Sequence, residues 1–459
     1  MNLSQEIVQH LVKIQYDDLP EEVVEVTKKS ILDTIGVILA ANTLGEGCQA
    51  FANVAIAEGG REQSSILGFG QKVSASSAAF VNGAMAHSMD FGESHDTAFV
   101  HSSSPTVPAA LAIAEMLENV NGKDLITAVA LGNDLVCRMG LSLTKNLLEY
   151  GWYVPPILGA FGATAAAGKL LNLTEKQMLD AFSLLLCQAT CSAEITQNPQ
   201  TLIRSVRDAF AAKAGVTSAL LAKEGVTGFE RPFDGKRGFF YAFSRDHYDP
   251  ELLVSDLGKN FEGANVSFKP WPSCRGTHPY IECVLKIMGE HHLQVDDIEE
   301  IKAVVGPVNQ TLICEPIEGK RKPENAINAK FSLPFAIATA MVYGNVSLEH
   351  YSAEAIQNAE VLAVAQKFQY EVNENLAMKD TLKGYLEIRT KDQNVYFERV
   401  DVPFGHPNHP MTNEELTKKF INCSHYSRNS ILPEDLNSVI EQILNLENIE
   451  EIRDVTRFM

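Results

Sequence analysis

Residues 76–118 read SSAAFVNGAMAHSMDFGESHDTAFVHSSSPTVPAALAIAEMLE. Both ends of this stretch are rich in alanine, which predicts helices at 76–86 and 106–118 that pack closely against their neighbours. Between them lies a polar block that contains His87, Asp90 and His101. Catalytic groups are common on loops at helix ends, so the stretch predicts a helical fold with a candidate site at this helix end.

The composition limits the class of protein. The chain has 459 residues, which is too long for one hydrophobic core and predicts two or three domains. A hydrophobic content of 45% and a charged content of 21% are ordinary for a soluble globular protein. The net charge of −20 argues against binding to nucleic acid or to an anionic membrane surface. Any site for a polycarboxylate must therefore gather its own local cations.

The cysteines and the N-terminal residues predict the cellular compartment of the protein. The eight cysteines show neither CxxC pairs nor zinc-type spacing, and the first residues do not follow a signal-peptide pattern. These features predict reduced thiols and a cytoplasmic location. The apolar runs are shorter than a bilayer span, so no membrane segment is expected.

Hydrophobic periodicity predicts the order of the domains. Helical spacing dominates residues 1–266, whereas residues 267–408 mix helical patterns with β-branched stretches. Residues 298–305 read as a strand, and residues 385–400 read as a hairpin around the turn at 391–394. Residues 409–459 are helical again. The predicted fold class is mainly α, with one α+β domain inserted before the C-terminal helices.

A second polar block lies far downstream. Residues 269–278 read KPWPSCRGTH, which places Lys269, Arg275 and His278 within ten residues. The two prolines make the segment stiff and extended, and His278 precedes a predicted helix whose positive end favours anions. Carboxylate-binding cations here and proton-transfer groups in the first block indicate acid/base chemistry on an anionic small molecule.

Both blocks also have plainer interpretations. The first can be a solvated loop whose polar residues cap helices, and the second can be a linker that prolines punctuate. Arg204 and Arg207 precede the predicted helix at 208–224 and can form a third cation group or an ordinary charged helix end.

Metal binding is the main chemical alternative. His87, Asp90, His95 and His101 are possible ligands of a divalent ion, but the histidine spacings of eight and six fit no helical ligand pair such as HExxH. Gly68-Phe-Gly70 is not a nucleotide loop, because neither a third glycine nor a P-loop lysine follows. The sequence therefore predicts a site without a metal or a cofactor.

In motif order and spacing the chain resembles the MmgE/PrpD family, which includes 2-methylcitrate dehydratase, cis-aconitate decarboxylase and iminodisuccinate epimerase. The resemblance runs almost end to end. The segments that carry it are LDTIG at 32–36, NG at 82–83, the His87–Asp90 block, residues 101–108, GW at 151–152, the helix after Arg207, GVTG at 225–228, Lys269–His278, KFSLP at 330–334 and PFGHPNHPMT at 403–412. It implies a large all-helical domain completed by the C-terminal helices, a smaller α+β lid, a homodimer and a metal-independent site.

The resemblance also assigns residues. Asp90 falls at the family's loop aspartate, Ser94 at a position that holds Thr or Ser, and His101 at the loop histidine. Lys269 and His278 match the later block. This chain departs from the family pattern in four ways. Gly92-Glu93 replaces an Asp-Asp pair, the loop before His101 is one residue longer, Arg204 replaces a lysine, and Arg207 replaces a histidine.

The predicted function is that of a lyase acting at a carbon next to a carboxylate, with dehydration of a 2-methylcitrate-like hydroxy-polycarboxylate as the leading reaction. Asp90, His101 and His278 are the candidate catalytic residues. The candidate substrate-binding residues are Ser94, Arg204, Arg207, Lys269 and Arg275. An epimerase or decarboxylase acting on a related di- or tricarboxylate, such as iminodisuccinate or cis-aconitate, is the alternative, and a catalytically degenerate binding protein is the third hypothesis. The expected partner is a small-molecule carboxylate, with no nucleic acid and no membrane.

Overall fold

A computed structural model describes residues 2–117, 119–197 and 201–459. These residues form two compact units, Met1–Phe268 together with Thr412–Met459, and Lys269–Met411. The first unit is helical apart from a small hairpin, and the second combines helices with a four-stranded sheet. The predicted fold class, mainly α with an α+β part, is confirmed.

The N-terminal part of the helical unit contains twelve helices among the described residues. They are α1 (Leu3–Lys13), α2 (Glu21–Leu44), α3 (Cys48–Glu58), α4 (Ala75–Ser88), α5 (Ser103–Leu117), α6 (Gly122–Ser142), α7 (Val154–Leu170), α8 (Glu175–Leu185), α9 (Ile203–Val206), α10 (Asp208–Lys223), α11 (Phe239–Ser244) and α12 (Glu251–Val254). An antiparallel hairpin of β1 (Ser64–Ile66) and β2 (Gln71–Val73) precedes α4. The periodicity did not predict this hairpin, because each strand is only three residues long.

The centre of this unit is a group of closely packed helices, α4, α5, α7 and α10. Small residues make the close approach possible. A Cβ atom on Gly83 of α4 would lie 3.0 Å from the Asp208 carbonyl oxygen at the start of α10. A Cβ atom on Gly215 of α10 would lie 2.5 Å from the Ala163 Cβ atom in α7. The contact at Gly83 brings the C-terminal end of α4 against the N-terminal end of α10.

Helix α6 is long and apolar enough to cross a membrane by length and composition. Within the protein, however, 89% of its most apolar 18-residue window is buried. The helix also carries the buried ion pair between Asp134 and Arg138, in which Arg138 Nε donates to Asp134 Oδ2 at 2.9 Å. These are the properties of a core helix.

The α+β unit contains six helices and four strands among its described residues. They are α13 (His278–Glu290), β3 (Ile298–Val305), α14 (Pro307–Asn309), α15 (Ile317–Arg321), α16 (Ala326–Lys330), α17 (Leu333–Tyr343), α18 (Ala359–Ala365), β4 (Phe368–Val372), β5 (Gly384–Thr390) and β6 (Val395–Val400). The strand order is β4-β3-β5-β6, with β3 and β4 parallel and the other pairs antiparallel. The hairpin predicted at 385–400 is β5–β6, whereas β4 was not predicted.

The C-terminal segment belongs to the helical unit and forms α19 (Asn413–Ser424), α20 (Pro433–Leu444) and α21 (Arg453–Thr456). Helix α19 packs against α2. The Lys419 ammonium lies 2.6 Å from Asp33 Oδ1 of α2 and donates to the Phe91 carbonyl oxygen at 2.6 Å. The end of the chain therefore supports the loop that follows α4.

Candidate active site

The C-terminal end of α4 positions the first candidate residues. Asp90 has a left-handed backbone conformation, with φ at 49°, and its N–H donates to the His87 carbonyl oxygen at 2.9 Å. Aspartate tolerates this conformation better than most residues do. The tight turn and the return of the chain at His101 bring together side-chain atoms of His87, Asp90 and His101, all within 4.8 Å of one another. The His87 and His101 ring centroids lie 4.7 Å apart.

His101 has a defined tautomer. Its Nδ1 lies 2.9 Å from the Glu93 carbonyl oxygen, which can only accept a hydrogen bond. Nδ1 therefore carries the proton in the neutral ring, and Nε2 is the basic nitrogen. A ring oriented in this way suits a group that takes up and returns a proton.

Glu93 stabilises the loop between α4 and α5 through hydrogen bonds to Ser102 and Ser103. Its Oε1 accepts hydrogen bonds from the Ser102 hydroxyl at 3.0 Å and from the Ser103 N–H, the first N–H of α5, at 2.6 Å. Burial raises the pKa of the Glu93 carboxyl. Glu93 thus interacts with the N-terminal end of α5, where a helix favours negative charge.

Ser94, His95 and Asp96 make contacts of their own. The Ser94 hydroxyl donates to Asp96 Oδ1 at 3.1 Å, and the Ser94 backbone pairs with Ser267. His95 Nδ1 accepts from the Ala98 N–H at 3.0 Å, and its Nε2 lies 3.7 Å from Glu262 Oε2. The interaction with His95 is the main reason that the pKa of Glu262 is lowered to about 2.

His87 has a partner that the sequence did not suggest. Its Nδ1 lies 3.5 Å from Asp208 Oδ2, at the start of α10. Burial raises the pKa of the Asp208 carboxyl to about 6. Neither His87 nor Asp208 was a predicted catalytic residue. The available signal was weak, since Asp208 merely follows Arg207 in a segment that resembles a charged helix end.

Arg207 is buried beside Asp208, with its Nε 3.9 Å from Asp208 Oδ1 and its guanidinium carbon 5.1 Å from the centre of the Tyr153 ring. Its Nη1 donates to the Arg204 carbonyl oxygen. Arg204 itself is half-buried in the short helix α9. Of these two predicted substrate-binding arginines, Arg207 is the one connected to the histidine cluster through Asp208.

Arg207 also lines a cavity of about 540 Å³ within the helical unit. Its walls come from the start of α7, from residues 188–195 and from α9 and α10. Most of the wall residues are apolar, and they include Pro156, Ala160, Ile195 and Phe210. The thiol of Cys191 is also in the wall, and burial raises its pKa to about 11.

The α+β unit holds the second group of candidates. Lys269 is almost fully buried. Arg275 Nη1 donates to the Phe404 carbonyl oxygen at 2.9 Å and lies 3.1 Å from His278 Nδ1. Because a guanidinium only donates, His278 Nδ1 is the acceptor and the Nε2–H faces the Ser273 carbonyl oxygen at 3.3 Å. Both ring nitrogens of His278 are thus hydrogen-bonded within this unit, and a proton-transfer role requires one of these contacts to open.

Three side chains of the helical unit, His87, Asp90 and His101, form a group that can hold a metal ion, whereas His95 pairs with Glu262. Two imidazoles and one carboxylate suit several divalent transition metals. The same three groups suit proton transfer without a metal. That His278 shares one site with Asp90 and His101 stays a prediction.

In the helical unit, two histidines and Asp90 form a group that lies next to Asp208 and the buried Arg207. Such a combination of acid/base groups and a cation suits acid/base catalysis on a carboxylate substrate. Models of the MmgE/PrpD N-terminal and C-terminal domains match residues 5–251 and 271–444. The chain belongs to the MmgE/PrpD family.

Curated relatives are similar over nearly the whole chain. The chain is 24% identical to the cis-aconitate decarboxylase-like protein oryM of Aspergillus oryzae, over 99% of this chain and 96% of the relative. It is 26% identical to the cis-aconitate decarboxylases of Mus musculus and Homo sapiens, over 98% and 96% of this chain and 91% of each relative. These similarities support a related lyase or decarboxylase activity and leave the substrate open.

Proposed function

We propose that the protein is a lyase that breaks a bond at a carbon next to a carboxylate of a small di- or tricarboxylate, and that the bond is the C–C bond to a carboxylate. The observation that carries the proposal is the setting of His101, whose Nδ1 is held by the Glu93 carbonyl oxygen and whose ring belongs to the cluster with Asp90 and His87. Similarity to cis-aconitate decarboxylases favours loss of carbon dioxide over loss of water.

In this reaction the C–C bond to one carboxylate breaks and carbon dioxide leaves. The electron pair stays on the substrate carbon skeleton and spreads into a neighbouring carboxylate as an enediolate. Cations stabilise the growing charge. His101 takes a proton from solvent on Nε2 and donates it to the carbanionic carbon of the substrate. Lys269 and Arg204 are the cations that the family resemblance assigns to the substrate carboxylates, and Arg207, which lies beside Asp208 of the histidine cluster, is a third cation for them.

Dehydration of a 2-methylcitrate-like acid is the second candidate, because the cluster contains a second acid/base group. Elimination of water needs a base for the α-proton and an acid for the departing hydroxide. His87, next to Asp208 and 4.7 Å from His101 between ring centroids, provides that second group. The C–H and C–O bonds break, the C=C bond forms, and water leaves with the added proton.

The test is a substrate panel of cis-aconitate, 2-methylcitrate and iminodisuccinate in deuterium oxide, followed by proton NMR and by trapping of carbon dioxide. Decarboxylation predicts carbon dioxide and one deuterium on a product carbon. Dehydration predicts an unsaturated acid with all of its carboxylates. Deuterium at the α-carbon without net product would instead indicate an epimerase, and a panel without exchange or turnover would favour a binding protein.

Variants separate binding from proton transfer. Lys269→Ala and Arg204→Ala should mainly raise KM, because a cation holds a carboxylate in the ground state as well. His101→Gln should mainly lower kcat. The matched control is His425→Gln, at an exposed position in the C-terminal segment, which should leave kcat unchanged. Near-normal kcat in His101→Gln would refute the assignment of the proton-transfer group.

A further inference from the structure

The group formed by His87, Asp90 and His101 has the donor atoms of a transition-metal site. One ligand atom from each side chain lies within 4.8 Å of the other two. Zinc binds nitrogen and oxygen donors at ~2.0–2.2 Å, which places neighbouring donors of a tetrahedral site roughly 3.4 Å apart. Side-chain rotations that move each donor by about 1 Å therefore close the group around an ion.

Both histidines of the group are oriented by an oxygen atom at one ring nitrogen. His101 Nδ1 lies 2.9 Å from the Glu93 carbonyl oxygen. His87 Nδ1 lies 3.5 Å from Asp208 Oδ2. Histidines that bind metals almost always direct their second ring nitrogen at a backbone carbonyl or a carboxylate in this way. A ring with its proton on Nδ1 has its lone pair on Nε2, which is the neutral form that binds a metal.

The donor types and the charges select the class of ion. Two imidazoles and one carboxylate suit zinc, cobalt and other divalent transition metals, whereas magnesium and calcium prefer oxygen ligands. Asp90 supplies one negative charge, and Asp208 adds a second beside His87. Arg207, with its Nε 3.9 Å from Asp208 Oδ1, offsets one of the two. One net negative charge thus lies beside the two neutral imidazoles, which favours a cation.

An ion bound to the group competes with proton transfer. His101 is partly exposed, whereas His87 and Asp90 are buried, so the group is open to solvent on the side of His101. Three protein ligands leave the fourth position of a tetrahedral zinc ion to water. The ion uses the lone pairs that take up and return a proton in the proposed reaction. The same side chains therefore cannot serve both purposes at once.

We propose that His87, Asp90 and His101 form a binding site for a divalent transition metal such as zinc, and that the bound ion inhibits the enzyme. The inhibition rests on the proposed function, whereas the binding of the ion does not. The ion is not needed for the reaction. EDTA should therefore leave the turnover of the metal-free enzyme unchanged and should reverse inhibition by added zinc.

Binding is tested by isothermal titration calorimetry of the full, metal-free chain with zinc chloride, and by the visible absorption spectrum of the cobalt-loaded protein. One ion should bind per chain, with cobalt bands that indicate nitrogen and oxygen ligands. Asp208→Asn removes only the carboxylate beside His87 and should weaken zinc binding by ~10–100-fold. The matched control is His291→Gln/His292→Gln, which removes two adjacent exposed histidines outside the group and should keep the affinity.

The ligand variants Asp90→Asn and His101→Gln should weaken zinc binding more than Asp208→Asn does, because each removes a ligand. Asp90→Asn keeps the side-chain volume and suits the left-handed backbone at this position, so it carries the test if His101→Gln does not fold. Unchanged affinity in both ligand variants would overturn the assignment. So would an intense sulfur-to-cobalt charge-transfer band, because it would place the ion on a cysteine.

Inhibition is measured on whichever substrate of the panel the enzyme turns over. Zinc should abolish turnover at concentrations that saturate the site in calorimetry, and magnesium at the same concentrations should not. An active enzyme that binds zinc at the group and keeps its rate would overturn the inhibition. A protein that binds zinc there but turns over no substrate keeps the metal site and removes only the lyase, so the two proposals can fail separately.

Discussion

Replacement of Lys419 by methionine tests how the C-terminal segment supports the candidate active site. The Lys419 ammonium lies 2.6 Å from Asp33 Oδ1 and 2.6 Å from the Phe91 carbonyl oxygen, and both side chains of the ion pair are almost fully buried. Methionine keeps most of the volume of the lysine chain and removes its charge. The buried Asp33 carboxylate then loses the ammonium that lies beside it.

Breaking a buried ion pair by removing one partner typically costs ~3–5 kcal/mol. Since the free energy of unfolding of a domain is often only ~5–15 kcal/mol, Lys419→Met should remove a large part of it. Lys418→Met is the matched control on the same helix. The Lys418 side chain is 67% exposed and pairs with Glu414 at 2.8 Å, so its loss should leave the free energy of unfolding nearly unchanged.

The assay is urea unfolding of both single variants, of Asp33→Leu and of the double variant Asp33→Leu/Lys419→Met. Replacing both members of a buried pair by apolar residues is often close to neutral, so the double variant should recover most of the lost stability. Its activity should stay low, because the Phe91 carbonyl next to Asp90 still lacks its donor. A loss below about 1 kcal/mol in Lys419→Met, or a double variant as unstable as the sum of the singles, would refute the reasoning.

Four further outcomes follow from the site. His101→Gln should lower kcat by ~10²–10⁴-fold in steady-state assays on the identified substrate, because it removes the basic nitrogen. Because the pKa of Asp208 is raised, the folded state binds the proton of this carboxyl more tightly than the unfolded state does. The carboxyl therefore stabilises the fold below about pH 4, and the free energy of unfolding falls as the pH rises through about 6. Asp208→Asn should reduce this fall in urea-unfolding free energy between pH 4 and 7. Chelation with EDTA should leave turnover unchanged, and a loss that one divalent ion restores would instead assign a metal to His87, Asp90 and His101. Light scattering at micromolar concentration should give the mass of a homodimer, and a monomer mass would contradict that expectation.

Local patterns were sufficient to predict much of the fold. The alanine-rich segments at 76–86 and 106–118 correspond to α4 and α5, and the alternation at 385–400 corresponds to the β5–β6 hairpin. Periodicity predicts such elements because the signal repeats within one segment. Strands of three residues, as in β1 and β2, are too short to repeat it. The parallel strand β4 pairs with β3 across intervening helices, so no local turn marks it.

The sequence by itself determined that a polar, histidine-rich loop follows an alanine-rich helix, and that a stiff segment with Lys269 and His278 comes later. Only the tertiary structure decided which polar groups meet. Close packing of α4 against α10 at Gly83 places Asp208 next to His87. His95 instead pairs with Glu262, so it does not belong to the group of possible metal ligands formed by His87, Asp90 and His101. These partners are distant in the chain, and their proximity depends on how helices pack. Hydrophobic periodicity shows which face of a helix is buried, but not which residue of another helix lies against it.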